Sequence, residues 1–457
     1  MAPPPRKDGG AREQRSGRDV AFEVLRRVEE GGAYASRALD AALAGAGALD
    51  PREAGLATEL VYGTLRRALA LDAALAPHAS RPLDRVDPAA RVALRIGAYA
   101  LLFLRTPAHA AVGEAVALAK RADHGRAAGF VNAILRALAR APRLPDPPPL
   151  GTDPAGHVAA AEALPRWLAE EWVLWLGPAE ALSLARAMND PAPLALRSPA
   201  RDALVLRARA AGLDAGPLPR SPEGLSLRGA AMADLARAAG GLPFQVQDEG
   251  AQLVSLFAAG DLRGRPARVL DACAAPGGKA FHLAELLGSG SEVVAVELHP
   301  RKAEDLRREA ARRGLPVRVL TADASKPLPG VPEASFDAVL VDAPCAGLGT
   351  LRRHPELKLR RRPEDLPRMA ALQREILLSC ARYARPGAAV TYAICSLSRA
   401  EGPEVAGALL AQGFRRAPPP ASAGVPADAL TPEGDLLTLP DRHGADGFYA
   451  ARLVREP

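Results

Sequence analysis

The stretch Arg268-Val-Leu-Asp-Ala-Cys-Ala-Ala-Pro-Gly-Gly-Lys decides the fold. A short apolar run reads as a strand ending near Asp271. Small residues and paired glycines then turn the chain, and Gly278 to Leu287 continues with helical spacing. A strand, a Gly-rich turn and a helix in that order let a ligand approach the backbone and meet the free N–H groups at the helix start. Two common versions are excluded. A phosphate-binding P-loop needs glycine at position 273 and Ser or Thr at 280, where Cys273 and Ala280 stand. The dinucleotide pattern GxGxxG is absent as well.

Strands and helices alternate beyond this turn. Glu292–Glu297, Val317–Leu320, Phe336–Asp342, Ala388–Cys395 and Gly447–Val454 read as strands, and Pro300–Arg313, Met369–Ala384 and Pro403–Ala411 as helices. Repeated βα units of this length predict a doubly wound, mostly parallel sheet. Upstream, Asp19 to Arg140 carries helical periodicity punctuated by Pro51, Pro77, Pro82 and Pro107, which predicts an all-α bundle. Residues 141–158 are proline-dense and read as a stiff extended linker. A helical segment over Pro165–Met188 holds Trp167, Trp172 and Trp175, expected as core packing at a domain junction. Short apolar runs from Pro193 to Leu242 suggest a small α/β subdomain. The expected division is 1–18 a disordered basic tail, 19–140 the bundle, 141–158 the linker, 159–243 the helical and small α/β part, and 244–457 the doubly wound domain.

Composition narrows the function. The chain has 457 residues, a net charge of +7 and four cysteines. Four cysteines in so long a chain, without a CxxC pair, exclude a disulfide framework and argue against a thiolate zinc site. No charge-free apolar run of about 18 residues occurs, and the first residues lack the apolar core of a secretory signal. A reducing cytoplasm and no membrane association are expected. The charge fits a polyanion partner. However, lysine stands only at 7, 120, 279, 302, 326 and 358, amid abundant Arg, Ala, 43 Pro and 41 Gly. That pattern indicates GC-rich codon usage, so the charge carries little of the argument.

The chemistry collects at strand ends. Glu297 closes the second strand, where a carboxylate accepts hydrogen bonds from ribose hydroxyls; a solvated strand-end charge is the alternative. Asp323 follows the third strand, suited either to an adenine amino group or to a turn. Cys345 follows the fourth strand and Cys395 ends the fifth. In a doubly wound sheet these ends are neighbours on the ligand-binding edge. Either thiol alone reads as a small buried residue. Together, beside Asp342 and Lys279, they form a nucleophile constellation. Cys380 lies within a helix and reads as structural, and Cys273 is expected to pack.

These motifs resemble those of the NOP2/Sun RNA (cytosine-5) methyltransferases. Asp271-Ala-Cys-Ala-Ala-Pro-Gly-Gly-Lys, Asp342-Ala-Pro-Cys, Arg352-Arg-His-Pro-Glu, Leu372-Gln-Arg-Glu-Ile-Leu and Ile394-Cys-Ser-Leu-Ser carry the likeness. Phe244-Gln-Val-Gln-Asp-Glu and His443-Gly-Ala-Asp-Gly-Phe-Tyr add to it. Tyr62-Gly-Thr-Leu-Arg, Leu94-Arg-Ile-Gly-Ala-Tyr and Phe130-Val-Asn-Ala-Ile-Leu-Arg resemble a NusB-type RNA-binding domain. The resemblance implies a Rossmann-like class I methyltransferase domain with a mostly parallel seven-stranded sheet, behind a NusB-like all-α bundle and a small α/β subdomain. It implies S-adenosylmethionine as donor, held by Cys273, Ala274, Ala275, Pro276, Gly277, Gly278, Lys279, Glu297, Lys302, Asp323 and Asp342. It implies that Cys395 attacks cytosine C6, that Cys345 assists release, and that Asp342 and Lys279 hold and polarise the base. Ala393-Ile394 stand where Ser-Thr is common in the family, Ala280 replaces a usual hydroxyl residue, and Glu297 replaces a usual Asp. The implied substrate is small-subunit (16S) ribosomal RNA, acted on by a monomer. The alternatives are transfer RNA or another ribosomal site as substrate, or a non-catalytic NusB-like RNA-binding factor whose methyltransferase domain is silent.

Overall fold

A computed structural model describes residues 15–47, 49–104, 106–123, 125–229 and 232–455. The chain forms two units. One takes residues 1–166 together with 354–359, and the other takes 167–353 and 360–457.

The first unit is helical: Gly17–Gly31, Ala35–Gly45, Pro51–Leu75, Pro88–Leu102, Ala108–Asp123, Ala128–Arg140 and Pro154–Glu162. Local chemistry sets the starts. Ser16 Oγ accepts from the Asp19 N–H while Asp19 accepts from the Ser16 N–H, a capping box that begins a helix at Gly17. The tail expected over 1–18 therefore ends earlier, and its residues 1–14 lie outside the described ones. Asp50 and Asp87 cap helices that open with Pro51 and Pro88, where a missing N–H costs nothing. Two glycines of the quoted motifs permit close packing. A Cβ at Gly63 would sit 2.2 Å from the Tyr99 ring, and one at Gly97 would sit 2.4 Å from Leu135. Arg95 is buried, with two bonds to Asp72 (2.8 and 2.7 Å) and one to Glu29 (2.8 Å). Such fork geometry supplies the partners that a buried guanidinium requires. Residues 142–149 form neither helix nor strand, whereas Pro154–Glu162 is a helix where an extended linker is expected.

Residues 354–359 complete this unit from far along the chain. Glu356 Oε1 accepts from the Ala35 N–H at 3.1 Å. The His354 ring meets Tyr34 edge-on at 5.4 Å, and Leu359 packs on the helical core. Lys358 donates to the Arg66 carbonyl. Burial and the nearby Arg67 push its pKa down to about 7.

The second unit holds two sheets. Strands β1 (Leu194–Arg197), β2 (Asp214–Pro217), β3 (Gly224–Arg228) and β4 (Gln245–Val246) form an antiparallel sheet ordered β2-β3-β1-β4, backed by Arg201–Ala210 and Met232–Ala239. This is the small α/β part that the short apolar runs suggest. The larger sheet uses β5 (Arg268–Asp271), β6 (Glu292–Glu297), β7 (Val317–Thr321), β8 (Phe336–Asp342), β9 (Ala384–Ile394), β10 (Phe414–Arg416), β11 (Leu436–Thr438) and β12 (Phe448–Arg455). Its order is β10-β12-β9-β8-β5-β6-β7, with β11 paired to β12. The β5, β6, β7, β8 and β9 pairings are parallel, and every pairing of β12 is antiparallel. Apolar layers cover both faces, as alternating crossovers require.

Several boundaries differ from the periodicity. The three-residue β10 and β11 are too short to show a pattern. The helix expected over Met369–Ala384 runs Asp365–Ala381, and Ala384 already pairs with Phe336. Gly177, at φ +85°, splits Pro165–Met188 into Arg166–Leu176 and Pro178–Ala187. Of the three tryptophans only Trp172 is fully buried, and it donates to the Leu397 carbonyl at 3.0 Å. No helix of the described residues is long and apolar enough to cross a membrane.

His282, on the helix Gly278–Leu286, meets the residue that precedes β3. Its imidazole is buried and lies 3.1 Å from the Glu223 carboxylate. Burial outweighs that partner and pushes the pKa down to about 4. An unfolded imidazole binds a proton below about 6.5. The unfolded state therefore takes up the proton first, and stability falls as pH drops from 6.5 towards 4. The loss is on the order of 3 kcal/mol. Urea unfolding of wild type and His282→Gln across this window is expected to give a wild-type-minus-variant stability difference that shrinks as pH falls. A flat difference curve contradicts the assignment.

Candidate active site

The larger sheet reverses its strand order between β5 and β8, so the C-terminal ends of β5, β8 and β9 lie side by side. Asp271 is opposite Leu340, and Asp342 is opposite Ala393. The turn after β5 is held by its backbone. The Ala272 N–H donates to Leu340 on β8, the Ala274 N–H to Val296 on β6, and the Gly277 N–H to Ala274. Gly277 has φ +107°, and a Cβ there would sit 2.4 Å from Phe281. Only glycine makes this turn. Ala275 and Pro276 are joined by a cis peptide, with Pro276 exposed, and Gly278 opens the helix Gly278–Leu286.

That helix carries Lys279 back over the sheet edge. Its Nζ lies 2.7 Å from Asp342 Oδ2 and 5.1 Å from the centre of the Phe448 ring. Burial disfavours the ammonium, but Asp342 more than offsets this and raises the Lys279 pKa. Lys279 is therefore a fixed cation at neutral pH. Cys345, after β8, and Cys395, after β9, bring their sulfurs to 3.4 Å. The hydrogen bond with Cys395, then burial, pushes the Cys345 thiol well above its usual range. The Gly349 N–H donates to the Cys395 carbonyl and the Gly447 N–H to Gly349, whose missing Cβ makes room for the Gly447 carbonyl.

The other predicted residues occupy separate places. Cys273 packs against the apolar layer, and burial raises its pKa. Cys380 is buried and donates to Ala324 at 3.4 Å, with its thiol pushed up to about 12 by burial. Glu297 is buried at the end of β6 and accepts from the His299 N–H at 2.8 Å. Asp323 is exposed and accepts from the N–H and Oγ of Ser325, the turn arrangement weighed for it. Lys302 is exposed on the helix Pro300–Arg313.

Five residues to which the motifs assign no role also build the site. Asp271 is fully buried, and no hydrogen bond of normal geometry reaches either carboxylate oxygen. Burial and Asp342 push its pKa up to about 7, against Lys279 and a weaker favourable contact with the Cys273 backbone. Phe448 supplies the aromatic face under Lys279. Arg353 bridges Asp446 (2.6 Å) and Asp248 (2.9 Å), tying together two of the quoted motifs. Glu401 and Gln373 lie behind the two thiols. Gln373 stands in the quoted Leu372-Gln-Arg-Glu, but nothing in the sequence distinguishes Glu401 from a solvated helix-start acid.

Comparison with known proteins identifies a family for the chain. Residues 264–454 match the family described as 16S rRNA methyltransferase RsmB/F, and residues 15–140 match the NusB family. A putative methyltransferase of Mycobacterium tuberculosis is 40% identical, with 96% of each chain covered. The ribosomal RNA small subunit methyltransferase B of Thermus thermophilus is 39% identical over 96% of this chain and 97% of its own. The crystal structure of PH0851 matches the fold with a TM-score of 0.81 at 24% identity, over 96% of this chain and 98% of that one. NSun6 from Pyrococcus horikoshii matches at a TM-score of 0.55 and 19% identity, over 65% of this chain and 99% of that one. The chain therefore belongs to the RsmB/F family of ribosomal RNA methyltransferases, with a NusB-family region at its N-terminus.

Proposed function

We propose that this protein methylates C5 of a cytosine in small-subunit (16S) ribosomal RNA, acting as a monomer in the cytoplasm. The observation that carries the reading is the 3.4 Å contact of Cys345 and Cys395 beside the Lys279–Asp342 pair. Cytosine C5 is a poor nucleophile until a thiolate adds at C6. Cys395 Sγ forms a bond to C6, and the displaced π electrons make C5 nucleophilic. S-Adenosylmethionine supplies the methyl group that C5 takes. The C5 proton passes to water with Cys345 assisting, the C–H electron pair restores the C5–C6 double bond, and the C–S electron pair returns to Cys395 as its thiolate. Lys279 and Asp342, locked to each other, hold and polarise the base.

The residues present fit this donor. A buried carboxylate without a hydrogen-bond partner suits a cationic ligand, and Asp271 would hold the donor's ammonium. The turn Cys273, Ala274, Ala275, Pro276, Gly277 and Gly278, with Lys279, would pass beneath it. Glu297 would take its ribose hydroxyls, and Asp323 its adenine amino group. Lys302 would contribute from the helix after β6. The helical part 19–140 and the small α/β part 159–243, joined by the linker 141–158, would dock the RNA for the catalytic part 244–457. The target base must leave its stack or be presented unpaired.

Cys395→Ala is expected to abolish methyl transfer to ribosomal RNA, and Cys345→Ala to accumulate a protein–RNA adduct that survives a denaturing gel. A Cys395→Ala variant at wild-type rate rejects the nucleophile assignment. Asp271→Asn is expected to weaken donor binding roughly tenfold by calorimetry, without lowering the melting temperature of the donor-free protein. Unchanged affinity rejects the ammonium role. Bisulfite sequencing of RNA from a deletion strain is expected to show one newly unmethylated 16S cytosine. A change confined to transfer RNA, or none, rejects the substrate.

A further inference from the structure

Both thiols sit on loops, and loops are the part of a fold least able to hold a sub-ångström geometry unaided. One side chain meets both of them. Glu401 is fully buried. Its Oε1 accepts from the Ala346 N–H at 2.8 Å, directly after Cys345. Its Oε2 accepts from Ser396 Oγ at 2.5 Å, directly after Cys395. Gln373 braces the arrangement from the helix Asp365–Ala381. Its Nε2 donates to Glu401 Oε1 at 3.0 Å and to the Pro344 carbonyl, directly before Cys345, at 2.9 Å. The Tyr392 hydroxyl on β9 donates to the Glu401 carbonyl at 2.5 Å and lies 3.0 Å from Gln373 Oε1.

We propose that Glu401 is a positioning residue for the methyl-transfer reaction, one buried carboxylate clasping the residue after each cysteine and so fixing the two sulfurs relative to each other. The proposal rests on the two-thiol reading above. A carboxylate suits this position: the Ala346 N–H and the Gln373 NH2 can only donate, and the Ser396 hydroxyl gives its proton here as well. A glutamine of equal size would have to turn its NH2 to Ser396, which reverses that bond and removes the charge that holds all three donors. Burial raises the Glu401 pKa, while the bonds from Ser396, Ala346 and Gln373 work to keep it ionised. Its charge also contributes to raising the Cys345 thiol. The clasp therefore has an electrostatic consequence that mere packing lacks.

The test uses the full-length protein with Glu401→Gln, a 16S RNA fragment and S-adenosylmethionine. Displacing a reacting group by about 1 Å costs on the order of 100-fold in rate. Glu401→Gln is therefore expected to lower kcat roughly 100-fold, with KM for RNA and affinity for the donor within about threefold of wild type. Iodoacetamide labelling of Cys345, followed by peptide mass against pH, is expected to shift its midpoint to lower pH. A kcat within about threefold of wild type overturns the proposal. So does an unshifted labelling midpoint, or a loss shared equally by kcat, donor affinity and melting temperature. If Glu401→Gln does not fold, Ser396→Ala removes one arm of the clasp, and the same split between kcat and KM decides. Cys395→Ala is assayed alongside. An active Cys395→Ala rejects the thiol chemistry itself, whereas an inactive one beside a fully active Glu401→Gln rejects the clasp alone.

Discussion

Parallel pairing of β8 with both β5 and β9 is the constraint on which the rest of the site depends. It makes three strands end at one edge, and each end delivers a different chemical group. β5 delivers Asp271 and the glycine turn, β8 delivers Asp342 and then Cys345, and β9 delivers Cys395. A one-residue slip between β8 and β9 would send alternate side chains to the opposite face of the sheet. The branched and aromatic residues of β8 and β9, packed in layers above and below, oppose that slip. The geometry of this edge is thus secured by ordinary hydrophobic patterning some distance from the side chains that it presents.

The charges at this edge are deliberately unequal in number. Two carboxylates, Asp271 and Asp342, share one ammonium from Lys279. Asp342 takes the short bond, while burial and then the neighbouring Asp342 charge push the Asp271 pKa up to about 7. Leaving a buried carboxyl unpaired is costly unless a ligand completes the set. A cationic ligand there would complete it, so the imbalance that weakens the free protein would favour the bound one.

Much of this was legible in the sequence, for identifiable reasons. The strand–turn–helix order at 268–287, the strand ends at Glu297 and Asp342, and the two converging cysteines follow from periodicity and topology rules that act locally. What escaped the reading depends on contacts between distant residues. Glu401 looks like any acid at a helix start, and only the folded chain shows it between Ala346 and Ser396. The antiparallel edge strands β10 and β11 have three residues each, too few for any alternation to register. The break at Gly177 and the helix at Pro154–Glu162 turn on backbone conformation and tertiary packing, which composition does not encode.

The helical unit is closed by residues 354–359, which enter it after most of the catalytic unit has been made. On a ribosome adding about 5–20 residues per second, the helices finish emerging roughly 10–40 s before Glu356 and Leu359 arrive to cap the N-terminus of Ala35–Gly45 and cover its core. The bundle must spend that interval with an open seam. The protein is therefore not two modules that can be cut apart at residue 166, and a nascent chain halted before residue 359 carries an unfinished bundle however long it waits.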